Sequence, residues 1–322
     1  MNSNPTAYQK KSNEWLNKLI NDNDVYTVFH YTSPEGFQGI MESKKIRFKD
    51  RFFMNDKSEG YYTLELLKEH YSDILPAEFQ DEETKSNLLD VISTFIDNFQ
   101  SKIPFKVYAV CFSLNGDSLP MWNYYTKDQH HEGCNLCVNS SDFSSSIIEK
   151  MWPDKDVHPY IFGHKVIYSV DKQIEILRSF FDEIYNSIHE DVSKKKEYCD
   201  AIAKRTFMNR FESILERVAF IGAILKHPKF EFEEEYRIFI YPFDSDDKLY
   251  MFESDDVSRE FVEADGMLKS QIDIPFDRSV IKKITFSPTI TEESVEKIKT
   301  LVHNEKTMVD VIFDNSKIPV RF

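Results

Sequence analysis

The sequence predicts an α+β fold with a mainly antiparallel sheet and a helical insertion, and three observations predict it. Runs such as VYTVFHYT, KVYAVCFSL and FEFEEEYRIFIYP alternate with the two-residue period of a pleated strand. They are not separated by regular crossover helices, which argues against a doubly wound parallel sheet. From about 172 to 226 the chain is almost wholly helix-like, the one clear change of composition. The organisation expected is an N-terminal helix within 1–24, followed by a single α+β domain over 25–322 that carries this insertion.

Residues 7–21 have helical spacing, with Trp15, Leu16, Leu19 and Ile20 near one stripe. The strand VYTVFHYT stops at Ser33-Pro34-Glu35, where Ser supplies an N-cap and Pro suits the first helical position, so a helix runs to about Ser43. IRFKD is a short strand, and helices follow from about Ser58 to Ser72 and from about Glu83 to Ser101, with a loop around Pro76 between them. KVYAVCFSL ends in the turn residues Asn115-Gly116-Asp117 and reads as a buried strand. A short helix carries Met121, Trp122 and Tyr125, and CNLCVN and a stretch from Tyr160 to Val170 continue the sheet. Beyond the insertion, strands are expected at 230–242, 248–253, 260–274 and 280–286. A helix capped at Thr291 comes next, and VDVIFDN closes the sheet.

Composition narrows the function. With 41% hydrophobic and 30% charged residues, 27 Phe and 16 Tyr, the chain can bury a full core. No apolar run approaches the roughly 20 residues of a membrane span, and the N-terminus lacks a signal peptide's apolar stretch, so a soluble, cytoplasmic protein is expected. The net charge of −15 opposes broad binding to a phosphate backbone, and Lys194, Lys195 and Lys196 read as a solvated helix start. Cys134 and Cys137 form a C-x-x-C behind His130 and His131. On a strand, however, positions three apart face opposite sides, so structural cysteines are expected. The eight glycines form no dinucleotide, phosphate-loop or nucleophile-elbow pattern.

Five stretches hold more polar functionality than a core needs. They are His30-Tyr31-Thr32, Asn55-Asp56 with Glu59, Cys111-Phe112-Ser113, Ser118 with Trp122 to Tyr125, and Glu233, Glu235 and Arg237. The last three residues share one face of the expected strand 230–242, opposite Tyr236, Ile238 and Ile240. Each stretch also has a plain structural reading: a hydrogen-bonded core histidine, a helix cap, a core tryptophan, a surface ion pair.

HYTS, N-D-x-x-E, C-F-S, M-W-x-x-Y, E-x-E-Y-R and S-x-I-P-x-R occur in that order at His30 to Ser33, Asn55 to Glu59, Cys111 to Ser113, Met121 to Tyr125, Glu233 to Arg237 and Ser316 to Arg321. Together they resemble a widespread bacterial family of unknown function, from Val25 to Phe322. The order His, aromatic, late-strand Glu is also similar to the His-Tyr-Glu layout of ADP-ribosyltransferases, whose cores are split antiparallel sheets. That resemblance implies NAD as substrate, with Glu235, His30 and Glu233 as the catalytic set. Cleaving the nicotinamide–ribose bond develops an oxocarbenium cation, which a fixed carboxylate such as Glu235 stabilises. His30, Tyr31, Thr32, Asn55, Asp56, Ser113, Trp122, Tyr125 and Arg237 then form the nucleotide-binding set. In it His30 meets ribose hydroxyls, an aromatic ring stacks on the heterocycle, and Arg237 orients Glu235 or meets a phosphate.

The implied role is ADP-ribosyl transfer or NAD hydrolysis, in a bacterial toxin or anti-phage effector with an unidentified macromolecular acceptor. Two alternatives stay open. One is a metal-dependent nuclease or hydrolase using Asp56, Glu59, Glu233 and Glu235, and the other is a non-catalytic nucleotide- or protein-binding module.

Overall fold

The computed structural model describes residues 14–16, 18–19, 24–50, 61–99, 107–126, 132–151, 160–193, 199–241, 258–264 and 267–319. In chain order the elements begin β1 (Thr27–Thr32), α1 (Pro34–Ser43), β2 (Lys45–Asp50), α2 (Tyr62–Glu69), α3 (Tyr71–Ile74), α4 (Glu82–Asp97), β3 (Tyr108–Ser113) and α5 (Leu119–Tyr125). There follow β4 (Cys134–Asn139), α6 (Ser140–Met151), β5 (Tyr160–Lys165), α7 (Val170–Ser193), α8 (Cys199–Ile221) and β6 (Glu235–Tyr241). The chain continues through β7 (Ser258–Ala264), β8 (Met267–Pro275), β9 (Ile281–Phe286), α9 (Glu292–His303) and β10 (Ile312–Asn315). The fold is α+β, with a mixed, mostly antiparallel open sheet. The strand expected at 248–253, Lys194 to Lys196, His130 and His131 lie outside the described residues, as does most of the helix expected at 7–21.

The chain divides into two units. One consists of Met1–Asp22, Met54–Pro104 and Val166–Lys229, and it holds α2 to α4, α7 and α8. Its core is aromatic: the ring of Phe79 lies 4.4 Å from Phe207 and 5.2 Å from Tyr185 between centroids. Gln173, fully buried on α7, donates to the carbonyls of Ile167 (2.6 Å) and Lys226 (2.9 Å) and accepts from the Tyr62 hydroxyl (2.8 Å). A buried amide satisfied on both sides fixes the ends of the helical hairpin to one another.

The other unit consists of Asn23–Phe53, Phe105–Lys165 and Phe230–Phe322 and holds the sheet. As the sequence predicts, Ser33 caps α1, accepting from the Gly36 amide at 3.1 Å, and Thr291 caps α9, accepting from the Ser294 amide. Strand order along the sheet is β10-β9-β4-β1-β3-β2-β8-β7, with β6 pairing both β3 and β5, and among the described strands β10 with β9 is the parallel pair.

The registers show how the sheet divides. β3 pairs β6 from Tyr108 to Ser113, so β6 fills one edge of β3. The other edge is shared: β1 meets it at Ser113, and β2 meets it at Ala109 and Tyr108. Between these two contacts β1 and β2 separate, each continuing into its own branch.

Pleating sorts the side chains. Val28, Val110, Phe112, Leu136, Tyr236 and Ile238 face one side, where they form the main core with residues of α1, α6 and α9. Ser113, Asn135, Glu235, Arg237 and Thr285 face the other, and all are buried.

Two expected strands differ. The stretch 260–274 is a hairpin of two strands, β7 and β8, closed between Ala264 and Met267. The strand expected at 230–242 begins only at Glu235, because Pro228–Glu233 is a 3-10 turn and Glu234 takes a positive φ of 45°. A left-handed residue reverses the local chain direction and ends the pleat. Glu233 therefore does not share a strand face with Glu235; only Glu235 and Arg237 do.

Candidate active site

Glu235 and Arg237 stand two residues apart on β6 and so face the same way. The guanidinium grips the carboxylate with both branches, Nε to Oε1 and an Nη to Oε2, each at 2.8 Å. The side chains are 5% and 1% exposed. Enclosing two charges is costly, and the fork compensates by fixing the carboxylate plane.

Across the strand pair, Ser113 lies opposite Glu235. Its hydroxyl donates to the Glu233 carbonyl at 2.8 Å and accepts from the Asn115 amide at 3.1 Å. Asn115 in turn donates its side-chain amide to the Glu234 carboxylate at 2.9 Å. These bonds hold the kink at Glu234, and they leave the Glu233 side chain, itself buried, accepting from the Tyr125 hydroxyl at 3.2 Å.

Beside this lies an aromatic cluster. Tyr31 meets Trp122 edge to face with centroids 4.5 Å apart. Its hydroxyl donates to the Asn115 carbonyl at 2.7 Å and accepts from the Ser118 amide at 3.1 Å. Burial pushes the phenol's pKa up, so it stays protonated and keeps donating. Asp117 accepts from the Trp122 indole at 2.9 Å, the Ser316 hydroxyl at 2.6 Å and the Lys317 amide at 2.8 Å. Burial alone raises the pKa of this carboxyl, but the hydrogen bonds outweigh it and hold the pKa below its ordinary value. Ile318 packs on the same rings, so the segment after β10 is fastened over the cluster.

The structure thus brings Tyr31, Ser113, Trp122, Tyr125, Glu233, Glu235 and Arg237 to one side of the sheet. It does not bring His30 or Thr32. Phe29 pairs with Ser113, which places Phe29 with Glu235 and turns His30 to the apolar side, edge to face with Phe112 at 5.6 Å. The reason lies in the divided edge of β3. Odd-numbered residues of β3 direct their backbone groups to that edge: Ser113 faces β1, Ala109 faces β2, and Cys111 falls between them. The His30 Nδ1 lies 3.0 Å from the Cys111 carbonyl. Burial lowers the imidazole's pKa, against the pull of that carbonyl and with help from Lys49, so the ring is neutral and Nδ1–H is the donor. Thr32 shares the His30 side, its hydroxyl against Gly36 in the first turn of α1.

Asn55, Asp56, Glu59 and Arg321 lie outside the described residues. Among the described residues no group of three or more His, Cys, Asp or Glu is placed to hold a metal ion. Cys134 and Cys137 are buried free thiols whose pKa values burial raises, as structural cysteines require. Cys111 and Cys199 form no disulfide and are partly exposed. No described helix is long and apolar enough to cross a membrane.

Sequence reasoning missed Asp117, read as a turn residue only; its signal was the pairing of the turn with the distant S-x-I-P motif.

Residues 121–238 match the family described as "Protein of unknown function (DUF2971)". The matched span opens in α5 and closes in β6, so it includes Trp122, Tyr125, Glu233, Glu235 and Arg237. No curated protein and no solved structure matches the chain.

Proposed function

We propose that the chain is an enzyme that breaks the nicotinamide–ribose bond of NAD and passes the ADP-ribosyl group to water or to a macromolecular acceptor, in a bacterial toxin or defence role. The observation that carries this reading is the Glu235 carboxylate, enclosed on β6 and fixed in plane by Arg237. As the bond from C1′ to nitrogen lengthens, its electron pair leaves on nicotinamide, which departs neutral, and positive charge grows on the ribose. A carboxylate held at that place, without reorganisation, stabilises the charge. The incoming nucleophile must then lose a proton, and Glu233, beside the Tyr125 hydroxyl, is the nearby base. His30 has no part in this chemistry, and Arg237 acts as a positioning residue.

Nicotinamide release from NAD, followed by chromatography with and without cell lysate as acceptor, tests the reading. Glu235→Gln is expected to lower the rate by about 100-fold or more. Because that change also removes the charge that Arg237 grips on β6, thermal melting is measured alongside it. Tyr125→Phe, which removes the donor to the buried Glu233 carboxylate, is expected to lower the rate even when assayed well below its own melting temperature. A wild-type protein that releases no nicotinamide under either condition overturns the proposal and favours a binding module.

A further inference from the structure

The rings at 31 and 122 are enclosed, but another aromatic pair on this unit has one ring open to solvent and the other half-buried behind it. Tyr124, the neighbour of Tyr125 on α5, is 70% exposed. Its ring stacks on that of Phe232 with centroids 5.5 Å apart and planes inclined by 25°, and Phe230 lies a further 6.3 Å from Phe232. Leu119, on the same helix, is also exposed. Large aromatic surface left in water runs against the burial it favours, and two rings held face to face there form a platform.

The turn that supplies Phe230 and Phe232 also supplies negative charge. Glu231 and Glu234 are exposed, Glu233 lies buried between them, and Lys229 is the turn's one base. Glu235 is matched by Arg237. The platform is therefore aromatic and acidic together.

We propose that Tyr124 and Phe232, with Glu231 and Glu234, dock an arginine-bearing basic segment of a partner protein. A guanidinium lies flat on a ring face and at the same time donates from its own edge to carboxylates; an ammonium does the second well and the first less well. The openness of the platform selects a protein over a small molecule. Small-ligand sites enclose most of their ligand, whereas a ring this exposed offers one face, which suits a side chain presented by a larger surface. The chain's net charge of −15 draws basic segments toward it.

The test is binding of two labelled peptides, Gly-Arg-Gly-Arg-Gly-Arg and Gly-Lys-Gly-Lys-Gly-Lys, by fluorescence anisotropy in moderate salt. The arginine peptide is expected to bind more tightly than the lysine peptide, and Tyr124→Ala is expected to weaken it by roughly threefold to thirtyfold. Paired Glu231→Gln and Glu234→Gln changes weaken both peptides, and Val309→Ala, at another exposed apolar position, changes nothing. Equal binding of the two peptides, or a Tyr124→Ala protein that binds as the wild type does, reduces the effect to general charge attraction and overturns the proposal. So does binding of neither peptide, or of 1-methylnicotinamide with no peptide bound. None of these readouts depends on turnover, so this inference and the proposed NAD chemistry fail separately.

Discussion

At the scale of single residues, His30 shows how a functional-looking side chain can be taken up by backbone accounting. The carbonyl of Cys111 lies between the positions where β1 and β2 pair with β3, and a buried carbonyl that loses a donor costs about 1–3 kcal/mol. Neutral imidazole supplies the donor at 3.0 Å. Because the folded protein lowers the pKa of this group, the unfolded chain takes up its proton first as pH falls. The stability it contributes is complete above the unfolded value, about 6.5, and is lost progressively below it. Urea unfolding from pH 8 to pH 5 is expected to show wild type losing stability relative to His30→Gln, whose amide can donate without titrating. Parallel pH profiles for the two proteins would remove His30 from this role.

At the scale of elements, β5 and β6 lie in close contact. Gly163 pairs with Ile238, and a Cβ at Gly163 would sit 2.7 Å from Cζ of Tyr236, whose ring crosses above it. Gly163→Ala therefore forces the Tyr236 ring aside and is expected to cost about 1–3 kcal/mol in urea unfolding; in a Tyr236→Ala background, itself destabilised, the same change should cost less, because the ring it meets is gone. A Gly163→Ala protein as stable as wild type would contradict this packing.

The elements also show what the sequence could reveal. Two-residue alternation located β1, β3 and β6, and cap chemistry located the starts of α1 and α9, because those signals are local. The place of Glu233 was not legible: alternation put it beside Glu235, while bonds from Ser113 and Asn115, more than a hundred residues away in sequence, hold the kink that moves it. The His30 side could have been read from Val28, two residues earlier and deep in the core. Which strand it faced depended on pairing at a distance. Trp122 fits its motif, yet its indole is fastened to Asp117 and its ring enclosed, which a motif does not record.

At the scale of the whole molecule, charge sets which partners are accessible. With 55 acids against 40 bases, the chain repels polyanions over distances that local basic groups cannot offset at low salt. No gel shift of duplex DNA or structured RNA is expected at micromolar protein, even in 50 mM salt, and a retarded band that salt disperses would contradict this. The same charge leaves the acidic aromatic platform as the face through which a basic protein approaches.

The four cysteines have a practical consequence. Two are sealed in β4, and the two that solvent reaches are Cys111 in the sheet unit and Cys199 in the helical one. A maleimide dye can thus be attached at these positions without removing any native thiol. Cys111 lies across the strand pair from Arg237, so the emission of a dye placed there would respond to NAD reaching that face of the sheet.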